Sequence, residues 1–253
     1  MKTLKASKIL IIPDIHQNLK FADECLKEDF DYVIFMGDYF DCFERADNEE
    51  YFSVKYTCDW LNTKYKELKD KAIWLVGNHD VAYLASYIPS TWKINKNSFY
   101  NCSGWTRSKA SDFNKYISKE WIDNLELCCY ANGYILSHAG FNYNQFKKPF
   151  DSIMTNINFL YDEWEKDKSD FMHKPFHWIW DIGECRGGYN KSGSPVWQDW
   201  NCEFSQMPSI KQIVGHTNGE TVKQKGEDYC IDCYRTTYAI IDENENIIFK
   251  TLK

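Results

Sequence analysis

The stretch KAIWLVGNHD, Lys71 to Asp80, decides the fold. Ala72 to Val76 form an apolar run suited to a strand buried on both faces. Gly77, Asn78, His79 and Asp80 then follow with no large apolar side chain among them. Alone, this is an ordinary turn that ends a strand. The pattern recurs along the chain, however. KILIIP (8–13) runs into Asp14-Ile15-His16, and YVIFM (32–36) runs into Gly37-Asp38-Tyr39-Phe40-Asp41. YILS (134–137) precedes His138-Ala139-Gly140, and IKQIV (210–214) precedes Gly215-His216-Thr217. In an open α/β sheet, ligands bind beyond the carboxyl ends of the strands. Five such ends would meet at one place.

Between these strands the spacing predicts helices. Leu19, Ala22 and Leu26 set a helical period over 18–29, and Phe52, Tyr56 and Trp60 set one over 48–69. Further helices are expected over 108–125 and near 151–167. Early strands alternating with helices predict βαβ units and a parallel sheet. Asn132-Gly133 joins two apolar runs and marks a hairpin within 125–140. Later strands are expected at 210–215, 219–224, 228–232, 237–242 and 246–251. No repeat or linker interrupts the chain, so 1–253 reads as one domain with an irregular, aromatic-rich insertion at about 141–205.

At about 150 residues per domain, 253 residues allow one large domain. Hydrophobics at 43% can fill its core, while 12 Gly and 6 Pro are too few for a disordered or fibrous chain. A net charge of −7 argues against an extended surface for nucleic acid. The start, MKTLKASKILIIPDIH, makes a poor signal peptide, and no window approaches the roughly 18 apolar residues of a membrane span. These features predict a cytoplasmic protein with reduced thiols (in host cytoplasm if the chain is of phage origin) and no membrane partner. Cys230 and Cys233 form a lone C-x-x-C, which makes a zinc ribbon an unsuitable reading.

The strand-end turns hold His16, His79, His138 and His216, four of the six histidines in the chain. Carboxylate, amide oxygen and neutral imidazole together suit divalent transition metals. Two such ions about 3.5 Å apart can clamp a phosphate, lower the pKa of a bridging water and assist an in-line displacement. An Asp, with two oxygens, can bridge them.

With these residues in view, the chain resembles the calcineurin-like metallophosphoesterase superfamily. The resemblance rests on five ordered motifs spread from residue 14 to 217: Asp14-x-His16, Gly37-Asp38-x-x-Asp41, Gly77-Asn78-His79-Asp80, His138-x-Gly140 and Gly215-His216. The spacing is most similar to the branch of Ser/Thr phosphatases, phage-type phosphatases and diadenosine-tetraphosphate hydrolases. The resemblance implies an α/β fold with a central mixed β-sandwich flanked by helices, the four-layer αββα arrangement. It implies two divalent ions, manganese foremost, with iron, zinc, nickel or cobalt as alternatives. Asp14 and His16 would hold the first, Asp38 would bridge, and Asn78, His138 and His216 would hold the second. His79 would be the general acid, oriented by Asp41. The implied reaction is hydrolysis of phosphate esters by in-line attack of a metal-bridging hydroxide.

Two departures qualify the substrate. Gln17 stands where the family has Gly, which predicts a re-lined rim. Cys42 stands where the phosphatase branch has a phosphate-gripping Arg, and a thiol cannot supply the bidentate fork. The branch carries another phosphate-binding Arg after a Trp between its last two motifs. Arg186, in WIWDIGECRGG, is therefore the substrate-binding candidate, ahead of Arg45 and Arg107. Trp164, Phe176, Trp178, Trp180, Tyr189, Trp197 and Trp200 could form a stacking wall for a base, but a packed insertion core is the favoured reading. Three functions follow. The first is a phosphomonoesterase acting on a phosphorylated small molecule, nucleotide or phosphoprotein. The alternative is a hydrolase of nucleotides, dinucleoside polyphosphates or nucleic-acid ends. The least favoured is a binding protein that has lost catalysis, because every ligand position and the His79–Asp41 pair survive.

Overall fold

A computed structural model describes residues 1–42, 53–85, 102–146, 152–168 and 177–252. In chain order the strands are β1 (Lys2–Leu4), β2 (Lys8–Ile12), β3 (Tyr32–Phe35), β4 (Ala72–Leu75), β5 (Leu125–Glu126), β6 (Cys128–Ala131), β7 (Tyr134–Ser137), β8 (Lys211–Val214), β9 (Lys223–Lys225), β10 (Asp228–Cys230), β11 (Thr237–Asp242) and β12 (Ile247–Thr251). The helices are α1 (Leu19–Cys25), α2 (Val54–Leu68), α3 (Asn78–Ala85), α4 (Arg107–Tyr116), α5 (Lys119–Asp123) and α6 (Ile153–Asp167).

Two six-stranded mixed sheets result. One has the order β12-β11-β2-β3-β4-β5, the other β1-β6-β7-β8-β10-β9. In the first, β2 to β5 run parallel, as the βαβ spacing predicts, and β11 joins antiparallel beside β2. In the second, β7, β8 and β10 run parallel. The continuous apolar strands divide their side chains by period two between two cores. Ile9, Ile11, Ile34, Met36, Ile73 and Leu75 meet Tyr134, Leu136 and Ile213 between the sheets. Leu10, Ile12, Val33, Phe35, Ala72 and Trp74 belong to the other core, with side chains of α1 and α2. Phe35 and Trp74 stack there at 4.2 Å. Full burial of each such side chain contributes about 1.5–3 kcal/mol.

Local chemistry places the helix starts. Asn18, Ser53, Thr106, Ser118 and Ser152 each cap a helix by accepting a backbone N–H. The helix expected over 108–125 is two: Ile117 turns extended and Ser118 caps anew. The buried face of α2 is Val54, Thr57, Cys58 and Leu61 rather than the Tyr56 face, since Tyr56 is exposed; Phe52 lies outside the described residues. The strand expected at 219–224 occupies Lys223–Lys225, and β1 and α3 were not foreseen. The aromatic side chains between 164 and 200 are mostly buried. Trp164, Trp178, Trp180 and Trp200 are buried, Tyr189 is exposed, and Phe176 lies outside the described residues.

Candidate active site

The turns after β2, β3, β4, β7 and β8 meet at one edge of the sandwich. The hydrogen bonds that join them run both between the sheets and within one. His216 N–H donates to both oxygens of Asp14, at 3.1 and 3.0 Å. Gly215 N–H donates to His138 O, and His138 Nδ1 sits 2.9 Å from Met36 O. These turns are strained: His16, Asp38, Asp41 and His216 all have positive φ, at 45°, 53°, 64° and 64°. Non-glycine residues seldom adopt this region unless the surroundings impose it.

Asp38 is the centre of the arrangement. Its Oδ2 lies 3.6 Å from His16 Nε2 and 3.3 Å from His138 Nε2, and its Oδ1 accepts His79 N–H at 2.9 Å. Two groups, His16–Asp38–His79 and Asp38–His138–His216, could each hold a metal ion, and they share Asp38. His16 and His138 hand Nδ1 to backbone carbonyls, of Phe40 and Met36, which turns Nε2 inward. Asn78 Oδ1 faces His138 Nε2 at 3.0 Å. Behind it the Asn78 amide nitrogen donates to Cys102 Sγ at 3.6 Å. Burial pushes the Cys102 thiol well up, so it stays protonated and donates in turn to Asn78 O.

The electrostatics fit cations here. Asp14, Asp38, Asp80 and Asp232 are four carboxylates with almost no solvent access. Burial, then the Asp232 charge, push Asp14 well above the usual carboxylate range. Burial brings His16 down to about 4 and holds His216 well below its ordinary value, the neutral form a metal requires. Burial works against the charged form of His138 as well, but Asp38 and Asp14 outweigh it and raise His138 to about 10. A proton there stands between two electron-pair donors, His138 Nε2 and Asn78 Oδ1, where a cation would serve both. At the site itself, the buried His216 Nε2 and Asp232 Oδ1 have no hydrogen-bond partner among the described residues. Buried polar atoms are seldom left so without a ligand to meet. The residues therefore fit a pair of divalent ions.

Asp80 closes the arrangement from beneath. Its Oδ2 accepts Gly77 N–H and Asp38 N–H, and its Oδ1 accepts Tyr39 N–H, all within 2.9 Å. It thus ties the turn that carries Asp38 to the turn that carries Asn78. Burial, with the Asp38 charge, raises Asp80 to about 7 against those donors.

His79 Nδ1 lies 2.8 Å from Asp41 Oδ2. With the Asp41 carboxylate accepting, Nδ1 carries the proton on that side and Nε2 lies on the ring edge away from Asp41. Burial lowers the His79 pKa, but Asp38 and the hydrogen-bonded Asp41 outweigh it, and the net shift is upward. Tyr83 OH and Lys109 Nζ reach the other Asp41 oxygen, at 2.6 and 3.3 Å. Sequence reasoning missed both. Tyr83 was accessible to it, four residues beyond His79 on α3, had the helix been recognised. Lys109 carries no local signal.

Gln17 does not re-line the rim. It is 2% exposed, accepts Cys42 N–H at 3.0 Å and donates to Thr57 Oγ1 at 3.2 Å, so it turns inward and fixes the Cys42 backbone to α2. Arg186 Nε pairs with Asp199 at 2.9 Å, and its Nη2 donates to the hydroxyl of Thr217, the neighbour of His216. Its charge contributes to the lowered pKa of His216, after burial and His138. Arg107 is exposed at the start of α4, and Arg45 lies outside the described residues.

A sandwich that gathers carboxylates and imidazoles at its strand ends around a shared Asp is the architecture of a dinuclear metallohydrolase. The chain belongs to the calcineurin-like phosphoesterases, whose family model matches residues 7–219, and it is a metal-dependent phosphoesterase. Among solved structures it is similar to a cold-active protein-tyrosine phosphatase from a psychrophilic Shewanella species. The TM-score is 0.59 at 12% identity, over 100% of this chain and 82% of that one. A protein serine/threonine phosphatase from Saccharomyces cerevisiae gives 0.53 at 11% identity, over 100% and 83%. A provisionally assigned diadenosine tetraphosphatase gives 0.51 at 12% identity, over 99% and 96%. At these identities the likeness concerns the fold alone. No curated protein sequence matches the chain significantly. Among the described residues, no helix is long and apolar enough to cross a membrane.

Proposed function

We propose that this phosphoesterase hydrolyses phosphate monoesters. The observation that carries the reading is the buried His79–Asp41 pair at 2.8 Å, with His79 itself in one of the two candidate metal groups that share Asp38. Asp14, His16 and Asp38 would hold one divalent ion, and Asp38, Asn78, His138 and His216 the other. When bound, such ions, manganese foremost, withdraw electron density from the phosphate and acidify water at neutral pH. The chain supplies the rest. With Nδ1 committed to Asp41, His79 Nε2 would give its proton to the departing oxygen. An alkoxide or phenoxide departs poorly without that proton, whereas a departing phosphate needs it less, and a proton donor built this firmly suits an ester. Arg186, beside Thr217, would draw the phosphate oxygens toward the His216 side in place of the Arg absent at position 42.

The test is an assay of the purified protein with Mn²⁺ on p-nitrophenyl phosphate and its bis ester, with bound metal measured. Monoester preference with two metals per chain is the expected result. Preference for the diester, or for dinucleoside polyphosphates, would move the assignment to the nucleotide-hydrolase reading. Absence of both metal and turnover would leave a binding protein. His79→Asn is expected to retain metal and lose about 10²–10⁴-fold in kcat. Loss of metal in that variant would mean that His79 is a ligand.

A further inference from the structure

Asp41 is 0% exposed, sits at positive φ, and has its two oxygens served by different elements. Oδ2 faces His79 Nδ1 at 2.8 Å. Oδ1 accepts the Tyr83 hydroxyl at 2.6 Å and the Lys109 ammonium at 3.3 Å. His79 and Tyr83 are four residues apart on α3, so they share a helix face and reach the same carboxylate. The Tyr83 ring is itself fixed, 4.8 Å from Phe40 and 5.6 Å from Phe113, and is fully buried. Lys109 reaches Asp41 from α4 while also donating to Gly104 O at 2.6 Å. That glycine passes so close to Asp41 that a Cβ on it would lie 2.9 Å from Asp41 Cβ.

We propose that Tyr83 is a positioning residue for proton transfer, with Lys109 as its weaker assistant: by holding Asp41 Oδ1 they aim Oδ2 at His79 and so fix which ring nitrogen faces the leaving group. A hydroxyl donating to a buried carboxylate is a charge-assisted bond, short and directional. Without it, that oxygen would keep only the longer, partly solvent-screened Lys109 contact, and the carboxylate could rotate to share its oxygens differently. The Asp41–His79 bond would then lose its single geometry. Lys109 is one-third exposed, so solvent screens its contribution and its loss matters less.

This inference rests on His79 being the acid, and the test separates the two. Steady-state kinetics are compared for the native chain, Tyr83→Phe, Lys109→Met and His79→Asn, with Mn²⁺. The substrates are p-nitrophenyl phosphate, whose leaving group needs little proton help, and phenyl phosphate, whose phenol has a pKa of about 10. Metal content and Tm are measured alongside. Tyr83→Phe is expected to keep both metals and its KM while losing about ten-fold more kcat on phenyl phosphate than on the nitro ester. Lys109→Met should show the same selectivity, reduced. A structural role alone would lower both substrates equally. Equal losses, or none, in Tyr83→Phe while His79→Asn stays leaving-group selective would overturn the positioning role and spare the acid. No selectivity in His79→Asn would overturn the acid, and the inference with it. Should Tyr83→Phe fold poorly, Lys109→Met carries the same comparison.

Discussion

Gly215 has no side chain because Asp14 occupies the space. A Cβ there would lie 2.0 Å from Asp14 Oδ1, and the same holds at Gly77, where it would lie 2.2 Å from Asp38 Oδ1. Each glycine lets a carboxylate lie against the neighbouring turn and meet its N–H groups. Gly215→Ala is therefore expected to displace Asp14 and weaken metal retention by about ten-fold or more, read by elemental analysis after dialysis. The sequence exposed this level well where the signal was local. The strand-end residues Asp14, His16, Asp38, Asn78, His79, His138 and His216 all reach one edge, because a turn residue's address follows from the strand before it. It was silent on Cys102 and Lys109, whose partners are set by packing between segments far apart in the chain. It also misjudged Gln17: a polar side chain at a glycine position suggests a new surface, and only the tertiary contacts with Cys42 and Thr57 turn it inward.

At the scale of elements, helix α3 does more than follow a turn. It begins on the residues of the site, so Asn78, His79 and Tyr83 are presented by one rigid piece. Sequence reasoning ended the strand correctly but gave Gly77-Asn78-His79-Asp80 to a turn, because Asn and Asp favour both turns and helix starts. Elsewhere the elements are tied by small polar staples. Glu28, in the turn after α1, accepts Tyr238 OH from β11 and Lys250 Nζ from β12, both at 2.7 Å. The Lys250 bond, then the Tyr238 bond, hold the Glu28 carboxyl below its usual range. A lowered folded-state pKa contributes stability above the unfolded pKa and loses it as pH falls through the folded one. Glu28→Gln should thus cost about 0.5 kcal/mol at pH 7 and nothing once the pH is well below 4, measured by urea titration at both values. A constant difference across that range would show that the ion pair is not the cause.

For the whole molecule, the site lies on the seam between the sheets. Asp14, His16, Asp38 and Asn78 follow strands of one sheet, and His138 and His216 follow strands of the other. Ions held by both would fasten the open edge of the sandwich. Stripping metal with a chelator is expected to lower Tm by several degrees, restored by Mn²⁺, since a ligand at 100 times its Kd adds about 2.7 kcal/mol. An unchanged Tm would mean that the folded chain holds no ion tightly at this seam. The layered α/β architecture was legible in the sequence because long apolar strands need cover on both faces. The strand order was not. β11 lies between β12 and β2, pairing Ile11 with Ala239, and the family match ends at residue 219, before either late strand begins.

That pairing sets a timetable for the growing chain. β2 is translated long before its neighbour β11, which is made only after every turn of the candidate site. Until then β2 carries an open hydrogen-bonding edge, the kind of exposed strand that recruits other chains. The nascent protein therefore holds all its strand-end histidines and aspartates before the first sheet can close. The exposure lasts until β11 is made, so a pause in translation before Thr237 would prolong it.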